Sequence, residues 1–329
     1  MTSVLEAAAP VPALLRQPAV EHGIDPASLE QLSGRLAAGG LGVDSLMVLR
    51  HGAVLFERWW HGHSPSRTHP VYSVTKGFTA TAIGMAVDEN LLSIDEHVLA
   101  FFPTYATAPV RTNLGTMSLR HLLTMSSGHS SDMGMALKRN PDEDWVRMFL
   151  ETPLEVEPGT RFVYDSANTH ILSAALANRT GRTVAEFLEP RLFDPLGIAS
   201  PQWQTDSRGL PQGGRGMWLR TADVAALGQL YLDQGRWNGR QLVSARWVRQ
   251  ATALQIATGR PSAQEWNQGY GFQFWRGPAG TFRADGAHGQ LSVVQPARDL
   301  VIAVTSASER KDEILAAIRA FLEHDHHAG

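Results

Sequence analysis

SLMVLRHGAVLFERWW (45–60) reads as two apolar runs on either side of His51-Gly52, a two-residue turn of the kind that closes a β-hairpin. Ahead of it, Asp25-Pro26 opens a helical pattern with Leu29, Leu32 and Leu36 at helical spacing, closed by Gly39-Gly40. Behind it, residues 73–90 put Phe78, Ala82, Met85 and Ala86 on one side of a long helix ending at Asn90. From there to about residue 265 the pattern is of helices and loops, with helices predicted over 118–125, 142–150, 167–180, 183–192, 221–235 and 244–253. Strand patterns return only near the other end of the chain: YGFQFWR (270–276), TFRADG (281–286), QLSVVQP (290–296) and LVIAVTS (300–306), before a helix over 309–323. The short connections favour antiparallel neighbours. The expected fold is therefore α/β of the α+β type, an antiparallel sheet built from both chain ends and flanked by helices. Residues 1–92 with 266–329 would form the sheet domain and 93–265 a mostly helical inserted domain, with a small-molecule site in the cleft between them.

Composition narrows the function. The chain has 329 residues, a formal net charge of −3 and a pI near 6.5, so there is no basic field for nucleic acid or an anionic membrane. Cysteine is absent, which excludes disulfides, thiolate metal sites and cysteine nucleophiles. The 13 histidines are scattered, the loop at 61–70 reads as a polar connection, and the terminal HDHHAG reads as a frayed tail rather than a metal site. MTSVLEAAAPVPALLRQP (1–18) lacks a basic n-region and is broken by prolines, the pattern of an unprocessed cytoplasmic N-terminus. No run approaches the ~18 apolar residues of a spanning helix.

Only three lysines occur, Lys76, Lys138 and Lys311, yet two of them follow a serine by three residues. Ser73-Val74-Thr75-Lys76 and Ser308-Glu309-Arg310-Lys311 both fit S-x-x-K, in which an amine one helical turn on faces a serine hydroxyl. Spacing does not choose between them, but context does. Ser308 heads a run of charges, as a solvated N-cap and first turn would. Ser73 lies between Val71-Tyr72 and Gly77-Phe78, where burial would keep the Lys76 amine neutral enough to take a proton.

Two further segments bear on this choice. In RFVYDSANTH (161–170), Tyr164 precedes a helix, with Asn168 one turn on; a tyrosine buried by its ring is the plain alternative. In ADGAHGQLSVV (284–294), Gly286 and Gly289 bracket a strand edge and permit a close backbone approach to a ligand, or else mark a bulge. Trp59, Trp60, Trp218 and Trp266 are candidates for an apolar pocket, although aromatics more often serve the core.

In this order the three segments resemble the serine β-lactamase and penicillin-binding protein superfamily. The similarity is to its class C-like branch of esterases, D-aminopeptidases and aminohexanoate-oligomer hydrolases, and it runs over roughly 45–306. PVYSVTKGFTATAIGMAVDENLLSIDEHV (70–98), SLRHLLTMSSGH (118–129), FLEPRLFDPLGI (187–198) and GMWLRTADVAALGQLYLDQG (216–235) share it. The resemblance implies a β-lactamase/transpeptidase-like fold and a serine hydrolase with no metal or organic cofactor, acting on small-molecule esters or amides. It implies Ser73 as nucleophile, Lys76 and Tyr164 as the proton-transfer groups, and an oxyanion hole from the N–H groups of Ser73 and Ala287. Asn168, Gly286, His288 and Gln290 would contact substrate. The chain departs from the family in two places. Ala284-Asp285-Gly286 stands where lactamases carry Lys-Thr-Gly, which removes a cation for a substrate carboxylate, and Tyr164-Asp165-Ser166 lacks the usual Asn two residues after the tyrosine.

Overall fold

A computed structural model describes residues 14–199, 201–259 and 265–324. Most of the N-terminal stretch and nearly all of the HDHHAG tail lie outside these residues. After α1 (Pro26–Ala37), β1 (Val43–Arg50) and β2 (Ala53–Trp59) form the expected hairpin, with His51 and Gly52 both at positive φ (51° and 75°). The Asp25 side chain caps α1 by accepting from Ala27 N at 2.9 Å. A two-residue strand β3 (His69–Pro70) leads into α2 (Thr75–Asp88). The middle of the chain supplies α3 (Ala108–Leu114), α4 (Leu119–Leu123), α5 (Gly134–Arg139), α6 (Trp145–Glu151), α7 (Ser166–Thr180), α8 (Val184–Leu188) and α9 (Asp194–Leu196). It continues with β4 (Gln202–Trp203), β5 (Met217–Leu219), α10 (Thr221–Leu232), the small hairpin β6 (Arg236–Trp237) and β7 (Arg240–Gln241), and α11 (Ala245–Thr252). The chain then returns as β8 (Trp275–Arg276), β9 (Phe282–Gly286), β10 (Gln290–Gln295), β11 (Leu300–Ser306) and α12 (Lys311–His324).

The main sheet runs β2-β1-β11-β10-β9-β8, and the pairings within it are antiparallel. First and last strands therefore meet in its centre, with Met47 opposite Ala303 and Val48 opposite Ile302. Both faces are covered, which is why the strands read as continuous apolar runs rather than alternating ones. Leu46, Val48, Leu291, Ile302 and Val304 pack under α1 and α12 against Leu29, Leu32, Ile314 and Ile318. Met47, Leu49, Val294, Val301 and Ala303 belong to the larger core with Phe78 of α2 and Leu227 of α10. Among the described residues no helix is long and apolar enough to cross a membrane.

The strand expected over 270–276 is corrected: Trp275 and Arg276 pair with β9, while Tyr270 makes isolated bridges to Ile256 and Trp275. Gln273 sits at φ 68° and uses its side chain to bridge two other segments, donating to Leu122 O and Leu123 O and accepting from Thr169 Oγ1 at 2.6 Å. Aromatic spacing resembled a strand, but the segment is an anchor to the helices. The small sheet β3-β5-β4 and the helices α3 and α5 carried no pattern long enough to read.

Helix α2 is buried on every side because glycines let its neighbours close in. A Cβ at Gly84 would lie 2.5 Å from the Trp247 ring, whereas one at Gly34, exposed in α1, meets nothing within 4 Å. Gly84→Ala should therefore cost about 1–3 kcal/mol by overpacking, while Gly34→Ala should stabilise by about 0.5–1 kcal/mol through the unfolded chain. Urea denaturation of the two variants checks this; equal effects would mean that the α2–α11 contact is not close-packed.

Candidate active site

Ser73 lies in a 3-10 turn (Tyr72–Val74) that runs straight into α2, so Lys76 falls one turn further along the same face. The approach is strained: Tyr72 has φ 45°, an uncommon value for a residue with a large side chain and one that gathers at functional sites. Lys76 Nζ donates to Ser73 Oγ at 2.9 Å, to Ser166 Oγ at 3.0 Å and to Gly214 O at 2.8 Å, which accounts for the three protons of an ammonium. The residue is 1% exposed. Burial drives its pKa down to about 7, against the opposing pull of Asp132 and Asp165.

Tyr164 stands across the serine. Its ring covers the amine, with Nζ 4.9 Å from the centroid, and its hydroxyl faces Ser73. Burial raises its pKa, so the phenol keeps its proton at neutral pH. Ser73 and Tyr164 share a cavity of about 670 Å³ with Trp266, Trp275, Asp285, Gly286, Ala287 and the start of α12. Gly286 has a steric reason to be glycine, since a Cβ there would lie 2.5 Å from Val71 O. Strand β9 can thus pass directly beside the segment that carries Ser73, and Ala287 follows at the cavity edge.

The remaining residues are sorted by the fold. Asn168 is fully buried in α7 with Nδ2 on Met125 Sδ at 3.7 Å, so it does not line the cavity. Its expected place is taken by Ser166, two residues after Tyr164, where a shorter hydroxyl reaches the lysine amine. That serine is positioned by Asp132, whose Oδ1 accepts from Ser166 N at 3.0 Å and Gly134 N at 2.8 Å. Gln290 is 1% exposed and bonds back to Ser306, and His288 faces Glu309 at 2.8 Å and the Tyr72 ring in a different cavity; neither lines the space around Ser73. Of the four tryptophans named from sequence only Trp266 does. Trp275, stacked on Tyr164 at 5.4 Å, was hidden in the misread strand.

The second S-x-x-K also needs correction. Ser308 does cap, accepting from Arg310 N at 2.9 Å, but it is buried rather than solvated, and Lys311 faces the Ser73 cavity. Lys311 Nζ lies 2.6 Å from Asp285 Oδ1, while Arg283 Nε holds Oδ2 at 2.9 Å. Asp285 is thus neutralised from both sides. The cation missing from β9 enters the cavity from α12 instead.

A family model described as Beta-lactamase matches residues 30–324. A 6-aminohexanoate-dimer hydrolase of Paenarthrobacter ureafaciens is 26% identical over 284 residues, 80% of this chain and 72% of its own. A lovastatin esterase of Penicillium rubens is 30% identical over 185 residues, 50% of this chain and 46% of the esterase. Among solved structures, EstCE1, a hydrolase with promiscuous acyltransferase activity, superposes with a TM-score of 0.75 at 16% identity, covering 90% of this chain and 98% of that one. That likeness is one of fold.

The lowered Lys76 pKa has a consequence for stability. Between pH 7 and 10.5 the unfolded chain carries a proton on this amine that the folded chain lacks, so the amine makes stability rise with pH across that window; below it both states bind the proton and the penalty is complete. In Lys76→Met this contribution vanishes. Denaturation between pH 7.5 and 9.5 should show wild type gaining up to about 1.4 kcal/mol per pH unit relative to the variant. Parallel curves would mean that the amine stays charged in the folded protein.

Proposed function

The chain belongs to the Beta-lactamase family, and from that premise we propose a serine hydrolase that cleaves small esters or amides through an acyl-enzyme on Ser73. The observation that carries this reading is the Lys76 amine, buried, poised near pH 7 and 2.9 Å from Ser73 Oγ. The names of the relatives point the same way, one to an aminohexanoate dimer and one to an ester.

Ser73 Oγ attacks the carbonyl carbon while its proton passes to Lys76 Nζ. The N–H groups of Ser73 and Ala287 hold the resulting oxyanion. Tyr164, protonated because burial raises its pKa, gives its proton to the leaving oxygen or nitrogen as the bond breaks, and the ammonium beneath its ring stabilises the phenolate. Water then yields a proton to Tyr164 and attacks the acyl carbonyl; Ser73 departs and recovers its proton from Lys76. Every group ends as it began.

Ser73→Ala should abolish both turnover and labelling by a fluorophosphonate probe, while Ser308→Ala should keep turnover and lose at most about 1 kcal/mol of stability as a lost cap. The rate should rise with pH through about 7, as the amine becomes neutral. Lys76→Arg cannot supply a neutral base and should fall by about 10² or more. Full labelling of Ser73→Ala, or a rate that falls through pH 7, would overturn these assignments.

Lys311 favours a second reading, in which its ammonium receives a substrate carboxylate as in a lactamase or D-amino-acid peptidase. Its charge is already matched by Asp285 at 2.6 Å, so neutral substrates are preferred here. p-Nitrophenyl butyrate should exceed nitrocefin in kcat/KM by at least ~10², about 2.7 kcal/mol in transition-state binding. Comparable values, lost selectively for nitrocefin in Lys311→Ala, would install the lactamase reading.

A further inference from the structure

We propose that Asp44, His63 and His69 form a binding site for one divalent transition ion of the zinc type, set behind the segment that carries Ser73. No sequence pattern points to it, because Asp44 lies in β1 while the histidines lie in a stretch, 61–70, that reads as a polar connection. The fold joins them. Trp60 N donates to Asp44 O at 2.9 Å and His63 N to Trp60 O at 2.9 Å, which turns the loop back onto β1, and His69 is fixed by its pairing with Leu219.

His63 Nε2 lies 3.3 Å from Asp44 Oδ1, His69 Nδ1 lies 3.9 Å from Oδ2, and one ligand atom from each residue falls within 4.8 Å of the other two. A tetrahedral zinc ion with donors at about 2.0–2.1 Å holds them about 3.3 Å apart, so the His63–carboxylate pair already fits, the His69 pair closes from 3.9 Å, and a rotation of the stacked His63 ring takes up the remaining separation of up to 4.8 Å. The opposite nitrogen of His69 is occupied: Nε2 is 3.3 Å from Thr305 Oγ1, itself 2.6 Å from Ser45 Oγ, and 3.3 Å from His63 Nδ1, a contact that the rotation of the His63 ring breaks. This is the outer-shell bond that orients an imidazole ligand. With the Nε2 proton directed to Thr305, Nδ1 turns its lone pair toward the carboxylate, an arrangement a cation between them relieves.

Two imidazoles and one carboxylate suit zinc, cobalt or nickel, whereas calcium and magnesium require more oxygen donors. The three residues are largely buried and border a cavity of about 560 Å³, from which water can supply the fourth position. Tyr72 and His288, which adjoin Ser73 and Ala287, line the same cavity. An ion here would tie β1 to the lead-in of the nucleophile without touching the reacting atoms.

The test uses the full chain with His326→Ala and His327→Ala, which removes tail histidines able to chelate, after dialysis against a chelator. Titration with ZnCl2 by calorimetry should show one equivalent, CoCl2 should give the intense visible bands of a tetrahedral site, and ZnCl2 but not MgCl2 should raise Tm by several degrees. His63→Ala should lose all three signals and keep ester hydrolysis in the absence of metal, while His51→Ala, from the separate His22–His51 contact, should keep them. Absence of cobalt bands in the parent, retention of the zinc equivalent in His63→Ala, or its loss in His51→Ala would each overturn the proposal. So would a cluster that binds no ion while Asp44→Asn lowers Tm, since the three residues would then be an ion pair and nothing more.

Discussion

An amine enclosed away from water must find all its hydrogen bonds inside the protein, and the parts of the chain that meet that demand for Lys76 are far apart in sequence. Ser73 comes from its own turn, Ser166 from the start of α7, and Gly214 from the loop before β5. Gly214 can present its carbonyl there because a Cβ would lie 2.7 Å from Ser166 O and 3.3 Å from Nζ. Ser166 is held by Asp132, and the neighbouring Asp165, whose carboxyl is pushed up by burial, accepts from Gly134 N and from Ala167 N at the start of the same helix. The site is thus a low-dielectric enclosure in which burial disfavours the charged form of one amine. That arrangement opposes folding stability at neutral pH and leaves, at the same place, the neutral amine that the proposed mechanism calls for.

How much of this could be read from sequence depends on how local the signal was. The hairpin at 45–60 and helix α2 were legible because turn chemistry and apolar runs are properties of neighbouring residues. Ser73 and Lys76 were legible as a pair because they lie one helical turn apart, but it was the apolar residues around them, not the spacing, that told them from Ser308 and Lys311. Ser166 was not, because what it replaces is a longer amide, and only the approach of α7 to α2 shows that a hydroxyl suffices. Asn168 looked better by residue type, yet helical geometry turns it into the core against Met125. In the strand misread over 270–276, the left-handed Gln273 is a tertiary requirement with no local signature.

The second S-x-x-K shows where context can mislead. A run of charges after Ser308 describes a solvated helix start, and the cap bond is indeed there. But α12 must also cover the sheet with Ile314 and Ile318, and that packing brings its first turn to the mouth of the cavity. Charges that would be ordinary surface on an isolated helix become the rim of a pocket. The same element therefore closes the core and borders the cavity that holds Ser73.

At that rim the charges are arranged in closed pairs. Trp266 lies between Arg283 and Lys311, each within 5 Å of its ring, and its indole N–H reaches Asp312 at 3.1 Å. Asp285 joins the two cations from beneath, and Glu265 lies 3.8 Å from Arg283 while also bonding Arg319. Each charge has a partner already in place before any substrate arrives, and a bound carboxylate would have to compete with Asp285 for Lys311. What the network offers an incoming molecule is instead rigidity: it fixes Trp266 and, through its ring contact at 4.8 Å, Trp275, which in turn stacks on Tyr164. The acidic and basic residues of the rim thus hold an aromatic wall, and that wall packs against the tyrosine that faces the serine.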